Sequence, residues 1–167
     1  IQAIEAGADE ALMLDVNGFV STCNATNFFI VKDGEVWTST GVYCMNGITR
    51  QKVIEICAKN NIPCHQKNFS LYDTYSADEA FVTGTFGGLT PVKSIDGKLI
   101  TNQNDTSIRG NLDRLYEELI VNESLRLSID QGGSEIWFKS WKSPFQKSPE
   151  RERDPALLMQ PRLGSMW

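Results

Sequence analysis

Residues 43–60 read YCMNGITRQKVIEICAKN, and the pattern of the chain changes inside this stretch. Asn46 and Gly47 break a preceding strand. Val53/Ile54 and Cys57/Ala58 then recur four apart, so an amphipathic helix is expected over residues 49–60. A turn that runs straight into a helix leaves the first N–H groups, those of Ile48, Thr49 and Arg50, without acceptors one turn earlier. With the partial positive charge of the helix dipole and the Thr49 hydroxyl, they make a seat for an anion, and phosphate is the natural guest. The competing reading is that Thr49 or Asn46 simply caps the helix and no ligand approaches.

Working outward, 167 residues with 41% hydrophobic content suffice for one sizeable core. The net charge of −5 gives no basic footprint, which argues against nucleic acid or an anionic membrane surface as partner. No apolar run approaches the roughly 18–20 residues of a spanning helix and no secretory leader is visible, so a soluble, intracellular protein is expected. Cys23, Cys44, Cys57 and Cys64 form no CxxC pair, which favours free thiols over a disulfide framework or a zinc site. His65 is the single histidine and is read as a strand-edge residue; no metal site is expected.

The opening residues look like the end of a helix stopped by Gly7, so the chain is expected to start within a domain. Strands are expected over 11–15 and 19–21 around Val16-Asn17-Gly18, and over 27–31 and 36–38 around residues 32–35. Beyond the 49–60 helix come a strand over 62–69, a short helix over 71–75, a buried strand over 81–83 and a glycine-rich turn over 84–88. A strand over 91–95 and a helix over 106–121 complete the series, the latter with Ile108, Leu112, Leu115, Leu119 and Ile120 on one stripe. From Asn122 the periodicity lapses, so residues 122–167 are read as a weakly ordered tail in which Trp137, Phe138, Trp141 and Phe145 could dock a partner.

The ordered set GADEALMLD (7–15), NATNFFIVKDG (24–34), the GITR turn and ADEAFVTGTFGGLTPV (77–92) closely resembles the large domain of class IV aminotransferases over about residues 1–121. That family holds branched-chain and D-amino-acid aminotransferases and aminodeoxychorismate lyase. The resemblance implies an α+β domain with a mixed sheet or pseudo-barrel and packed helices, a pyridoxal 5′-phosphate cofactor, and a homodimer in the full-length protein. The activity implied is amino-group exchange between an amino acid and a 2-oxo acid. It further implies that Ile48 and Thr49 hold the cofactor phosphate, that Gly84 and Thr85 supply a second set of donors, and that Thr85 and Phe86 face the substrate carboxylate.

The sequence departs from the family at two places. The family strand reads glycine, any residue, valine, any residue, glutamate, and the glutamate pairs with the protonated pyridine nitrogen. Here Gly18-Phe19-Val20-Ser21 leads to Thr22, an uncharged hydroxyl that cannot hold that nitrogen protonated. No lysine matches the family's Schiff-base position, since the first, Lys32, lies after Thr22. No catalytic residue is therefore assigned, and the expectation is a portion of an aminotransferase that is not competent alone. The alternatives are a noncatalytic protein serving association, or a lyase on the same fold. Asn24 and Asn27 are read as structural ties, and Arg50 as a surface cation that could pair with Glu79 or an anionic ligand.

Overall fold

Strand β3, Asn27–Lys32, reads NFFIVK, and its residues through Val31 are buried, so it needs cover on both faces. A computed structural model, which describes residues 2–84, 88–101, 107–130 and 156–157, supplies that cover. β3 is the middle of a five-stranded mixed sheet ordered β5-β4-β3-β6-β7, with β4 Glu35–Thr38, β5 Cys64–Gln66, β6 Glu79–Gly84 and β7 Gly88–Pro91. All its pairs are antiparallel except β4 with β5.

Because side chains alternate along a strand, β3 and β6 split their apolar residues between two cores. Phe28, Ile30, Ala80 and Val82 face a layer built by β1 (Leu12–Leu14) and β2 (Val20–Cys23) together with Phe69, Val92 and Ile95. Phe29, Val31 and Phe81 face helix α2 (Ile48–Lys59) through Val53, Ile56 and Cys57, and helix α4 (Ile108–Asp130) through Leu112. Phe29 and Phe81, opposite one another in the ladder, stack with ring centroids 4.9 Å apart. The architecture is the expected α+β one. Among the described residues the strands form three separate sheets and do not close into a barrel.

Local chemistry explains the connections. Gly7 takes φ +73 and ends α1, Gln2–Glu5. The β3–β4 hairpin turns on Asp33 (φ 52) and Gly34 (φ 79), the two positive values a tight hairpin needs. The strand expected over 62–69 is shorter: β5 ends at Gln66, after which the chain leaves β4 so that Phe69 can enter the core and its carbonyl can accept from Val20 N at 2.9 Å. The strand expected over 91–95 divides into β7 and β8 (Ser94–Ile95), and β8 pairs with β9 (Lys98–Leu99). α3, Leu71–Tyr75, begins in a capping box of Ser70 and Asp73.

Helix α4 runs to Asp130, nine residues past the Val121 boundary expected from periodicity. Nothing from 122 to 130 breaks a helix, and Lys52 of α2 meets Glu123 of that extension at 2.7 Å. Strand β10, Ala156–Leu157, lies parallel to β8. The four tail aromatics lie outside the described residues. No helix among the described residues is long and apolar enough to cross a membrane.

Candidate functional site

The N-terminus of α2 carries no side-chain cap. Gly47 is its N-cap, in extended conformation (φ −61, ψ 147), and the first intrahelical bond runs from Gln51 N to Gly47 O at 3.0 Å. Asn46, a candidate cap, instead accepts from Arg50 Nη1 at 2.7 Å through its Oδ1. The other two helices that follow are closed. In α3, Ser70 Oγ accepts from Asp73 N, and at α4 both Glu79 oxygens take up N–H groups, those of Ile108 at 2.9 Å and Arg109 at 3.0 Å. The capping alternative for α2 is thus set aside, and the N–H groups of Ile48, Thr49 and Arg50 have no acceptor of their own within the helix. Ile48 turns its side chain to solvent at 81% exposure, while Thr49 lies 7% exposed one turn before Val53, on the sheet-facing stripe.

Two side chains tie this corner to the β6–β7 end of the sheet. Asn27 stands opposite Thr83 in the ladder, the residue before Gly84. Its Nδ2 donates to Met45 O at 2.8 Å, and a Cβ on Gly47 would collide with its Oδ1, so glycine is required at the N-cap for this approach. From the other side, Tyr116 of α4 places its hydroxyl 3.4 Å from Thr49 Oγ1, and a Cβ on Gly88 would lie 3.8 Å from Tyr116 Cε1. Gly88 (φ 57) pairs with Gly84 across the turn. The start of α2 at 48–49 and the strand ends at Gly84 and Gly88 therefore sit at one end of the sheet, bracketed by Asn27 and Tyr116. Thr85 and Phe86 lie outside the described residues.

Thr22 joins the same end from β2. Its hydroxyl donates to Thr26 O at 2.8 Å, with Asn27 Nδ2 at 3.4 Å from its oxygen. The proton is spent on a carbonyl, so what Thr22 can offer a ligand is a neutral lone pair. The nearby carboxylate, Glu10, is engaged by Ala25 N at 2.9 Å and Thr26 Oγ1 at 2.8 Å. Lys32 pairs with Asp73 at 3.0 Å, Lys52 with Glu123, and Lys67 caps the Trp37 ring at 3.1 Å from its centroid. Asn24 does act as a tie, its Oδ1 accepting from Ala11 N at 2.7 Å. His65 lies on edge strand β5, beside Glu35 at 3.4 Å.

Arg50 corrects the reading from sequence. It is 2% exposed, among the largest fully buried side chains, and not a surface cation. Its Nη2 donates to Ser39 O at 2.8 Å and Gln66 Oε1 at 3.0 Å, and Glu79, its supposed partner, is committed to α4. Burial follows from its place: residues 39–47 fold over the first turn of α2, and a guanidinium alone carries enough donors to satisfy several converging acceptors. Ser39, Gln66 and Tyr116 were not singled out from sequence. Only Tyr116 left a signal, falling four residues after Leu112 on the stripe of α4 while carrying a hydroxyl.

The donor set fits one part of pyridoxal 5′-phosphate. Open helix N–H groups, the Thr49 hydroxyl and a buried Thr83 Oγ1 with no partner among the described residues suit a phosphate. Among the described residues nothing places a free carboxylate beside Thr22.

The sequence model of a protein family described as "Amino-transferase class IV" matches residues 1–95. A branched-chain-amino-acid aminotransferase of Pseudomonas aeruginosa is 37% identical over 123 residues, 74% of this chain and 40% of its own length. Branched-chain-amino-acid aminotransferase-like protein 2 of Arabidopsis thaliana is 41% identical over 119 residues, 71% of this chain and 21% of its own length. The crystal structure of an aminotransferase from Brucella abortus, bound to the co-factor PLP, superposes with a TM-score of 0.65 at 30% identity, covering 71% of this chain and 41% of that one. The chain thus spans less than half the length of these relatives.

Proposed function

The chain belongs to the class IV aminotransferase family, and from that premise we propose that its α2 and β6–β7 corners hold the phosphate of pyridoxal 5′-phosphate. The observation that carries this is the open start of α2, set against the carboxylate-capped start of α4 and brought beside Gly84 and Gly88 by Asn27 and Tyr116. In this reading Ile48 and Thr49 bind the phosphate from the helix, and Gly84 and Thr85 bind it from the turn. Thr22 stands at the ring nitrogen, and Thr85 and Phe86 face the carboxylate of an amino acid or 2-oxo acid. When bound, the cofactor supplies an electron-withdrawing ring for the chemistry at the substrate α-carbon.

Each residue then has a physical task. The N–H groups of α2 and the Thr49 hydroxyl would hold the dianion, and Thr22 would stand at the ring nitrogen. Thr22 can accept a hydrogen bond but brings no charge, so it would support electron withdrawal by the ring less than a carboxylate there. The whole protein's reaction is amino-group exchange between an amino acid and a 2-oxo acid, in a homodimer, and these 167 residues by themselves are not competent for it. Pyridoxal 5′-phosphate titration followed by absorbance and borohydride reduction tests this: phosphate-dependent binding is expected, abolished by Thr49→Val with Gly84→Val, with no lysine trapped. A single lysine trapped in stoichiometric yield would refute the assignment.

A second reading, noncatalytic association, draws on Val42, Tyr43, Met45 and Ile48, apolar side chains 55–81% exposed within one short segment. It predicts a self-associating chain without affinity for the cofactor, which sedimentation in its presence and absence distinguishes.

A further inference from the structure

We infer that Tyr116 is a positioning residue for the anion seat: its O–H donates to Thr49 Oγ1 and so turns the single Thr49 proton toward a bound phosphate, with the buried Thr83 hydroxyl as a further donor. The inference rests on reading the α2 N-terminus as a phosphate seat, and goes beyond it by adding two residues from β6 and α4. Tyr116 and Thr49 are 3.4 Å apart, and either can be the donor. A dianion decides between them. A hydroxyl has one proton and two lone pairs, so a Thr49 that gave its proton to Tyr116 would present only lone pairs to the phosphate and repel it. With Tyr116 as donor, both protons run in the favourable sense, and each hydrogen bond polarises the next.

Thr83 supplies the independent observation. It is 2% exposed, and its Oγ1 has no hydrogen-bond partner among the described residues, a costly state for a buried hydroxyl. Strand alternation puts it on the face of Phe81, the side that α2 and α4 cover, opposite Asn27 and Leu89. Thr49 lies one turn before Val53 and Tyr116 one turn after Leu112, both of which line that core. Thr83 at a strand end, Thr49 at a helix start and Tyr116 on a second helix thus share the helix-covered face of the sheet, where the α2 N–H groups have no acceptor among the described residues. An acceptor-rich ligand satisfies Thr83 and Thr49 together, and a phosphate dianion has the oxygens to do so.

The test is isothermal titration of the 167-residue chain with inorganic phosphate and, separately, with pyridoxal 5′-phosphate, for the parent and for Tyr116→Phe, Thr83→Val, Thr49→Val and Thr49→Val/Tyr116→Phe. Tyr116→Phe and Thr83→Val should each weaken both ligands roughly three- to tenfold, with Thr83→Val melting no lower than the parent because it removes no protein hydrogen bond. Adding Tyr116→Phe to Thr49→Val should change nothing further, since the tyrosine acts through the threonine. A Tyr116→Phe chain that binds as tightly as the parent, or that loses as much in the Thr49→Val background, overturns the inference and leaves the phosphate reading standing. A parent that binds neither ligand overturns both.

Discussion

Arg50 Nη2 donates to the carbonyl oxygen of Ser39 at 2.8 Å, from a guanidinium with only 2% of its residue surface exposed. A cation this deep is sustained by neutral acceptors, Ser39 O, Asn46 Oδ1 and Gln66 Oε1, drawn from the end of β4, the turn before α2 and the edge strand β5. It is therefore the clasp on residues 39–47, the segment that delivers the open start of α2. Arg50→Met should cost about 3–5 kcal/mol in urea unfolding, because three acceptors lose their donors inside the protein. Arg50→Lys should recover less than half, since one ammonium cannot span the three directions. A loss under about 1 kcal/mol for Arg50→Met would show that the clasp is dispensable.

Glu79 caps α4 across a gap of 29 residues in sequence, with one carboxylate oxygen on each of Ile108 N and Arg109 N. Glu79→Ala should lower stability by about 2 kcal/mol, combining the lost cap with the lost charge at the positive end of the helix. Glu79→Gln keeps one acceptor and should lose roughly half as much. Equal melting temperatures for Ala and Gln would contradict this account.

Asp73 reports on acid stability. The Ser70 hydroxyl, then the Ser70 N–H, then Lys32 hold its carboxyl down to about 2. A depressed folded value means that the contribution is present above the ordinary carboxylate value of about 3.9 and is lost as pH falls toward 2. Ser70→Ala removes the largest cause. Its unfolding free energy should be lower at pH 6, and should fall less between pH 5 and pH 2 than that of the parent. Carboxyl carbon shifts followed through the same range give the site's own titration, and an unchanged Asp73 midpoint in Ser70→Ala would refute the assignment.

Cys57 and Cys64 pack together in the helix-side core. The neighbouring thiol, and then burial, push the Cys57 thiol up, while the Cys57 neighbour and the Arg50 charge pull Cys64 down. Iodoacetamide at neutral pH should therefore label the half-buried Cys64 before the fully buried Cys57. Peptide mass spectrometry over a time course reads both, and simultaneous labelling of the pair would count against it.

Thr22→Glu should not create transaminase activity. The Thr22 hydroxyl donates to Thr26 O, and Thr26 in turn holds Glu10, so a carboxylate at 22 loses a donor and meets a carbonyl and a second acid. A drop in melting temperature with no 2-oxo acid formed from L-leucine and 2-oxoglutarate is the expected result. Measurable turnover would mean that the ring-nitrogen position was the missing element.

What could be read without a fold was whatever depends on near neighbours in the chain. The turn at Asn46-Gly47 and the helix after it, the Asp33-Gly34 hairpin and the fully apolar β3 follow from local propensity and period, and the four ordered motifs carried the family. Arg50 reads as a surface cation because position on a helix does not say what folds over it: its burial comes from residues 39–47 and from Gln66 of β5. The same holds for the far end of α4, where no local breaker marked a stop and a cross-helix ion pair to Lys52 lies beyond the expected boundary. The sequence by itself determined that a helix would start directly after the Asn46-Gly47 turn; that no side chain caps it was decided by the structure, where Asn46 Oδ1 is taken by Arg50. Only the tertiary structure decided that Asn27, Thr83 and Tyr116 stand around it, because contacts between β3, β6 and α4 depend on strand register and helix rotation, which no local run of residues encodes.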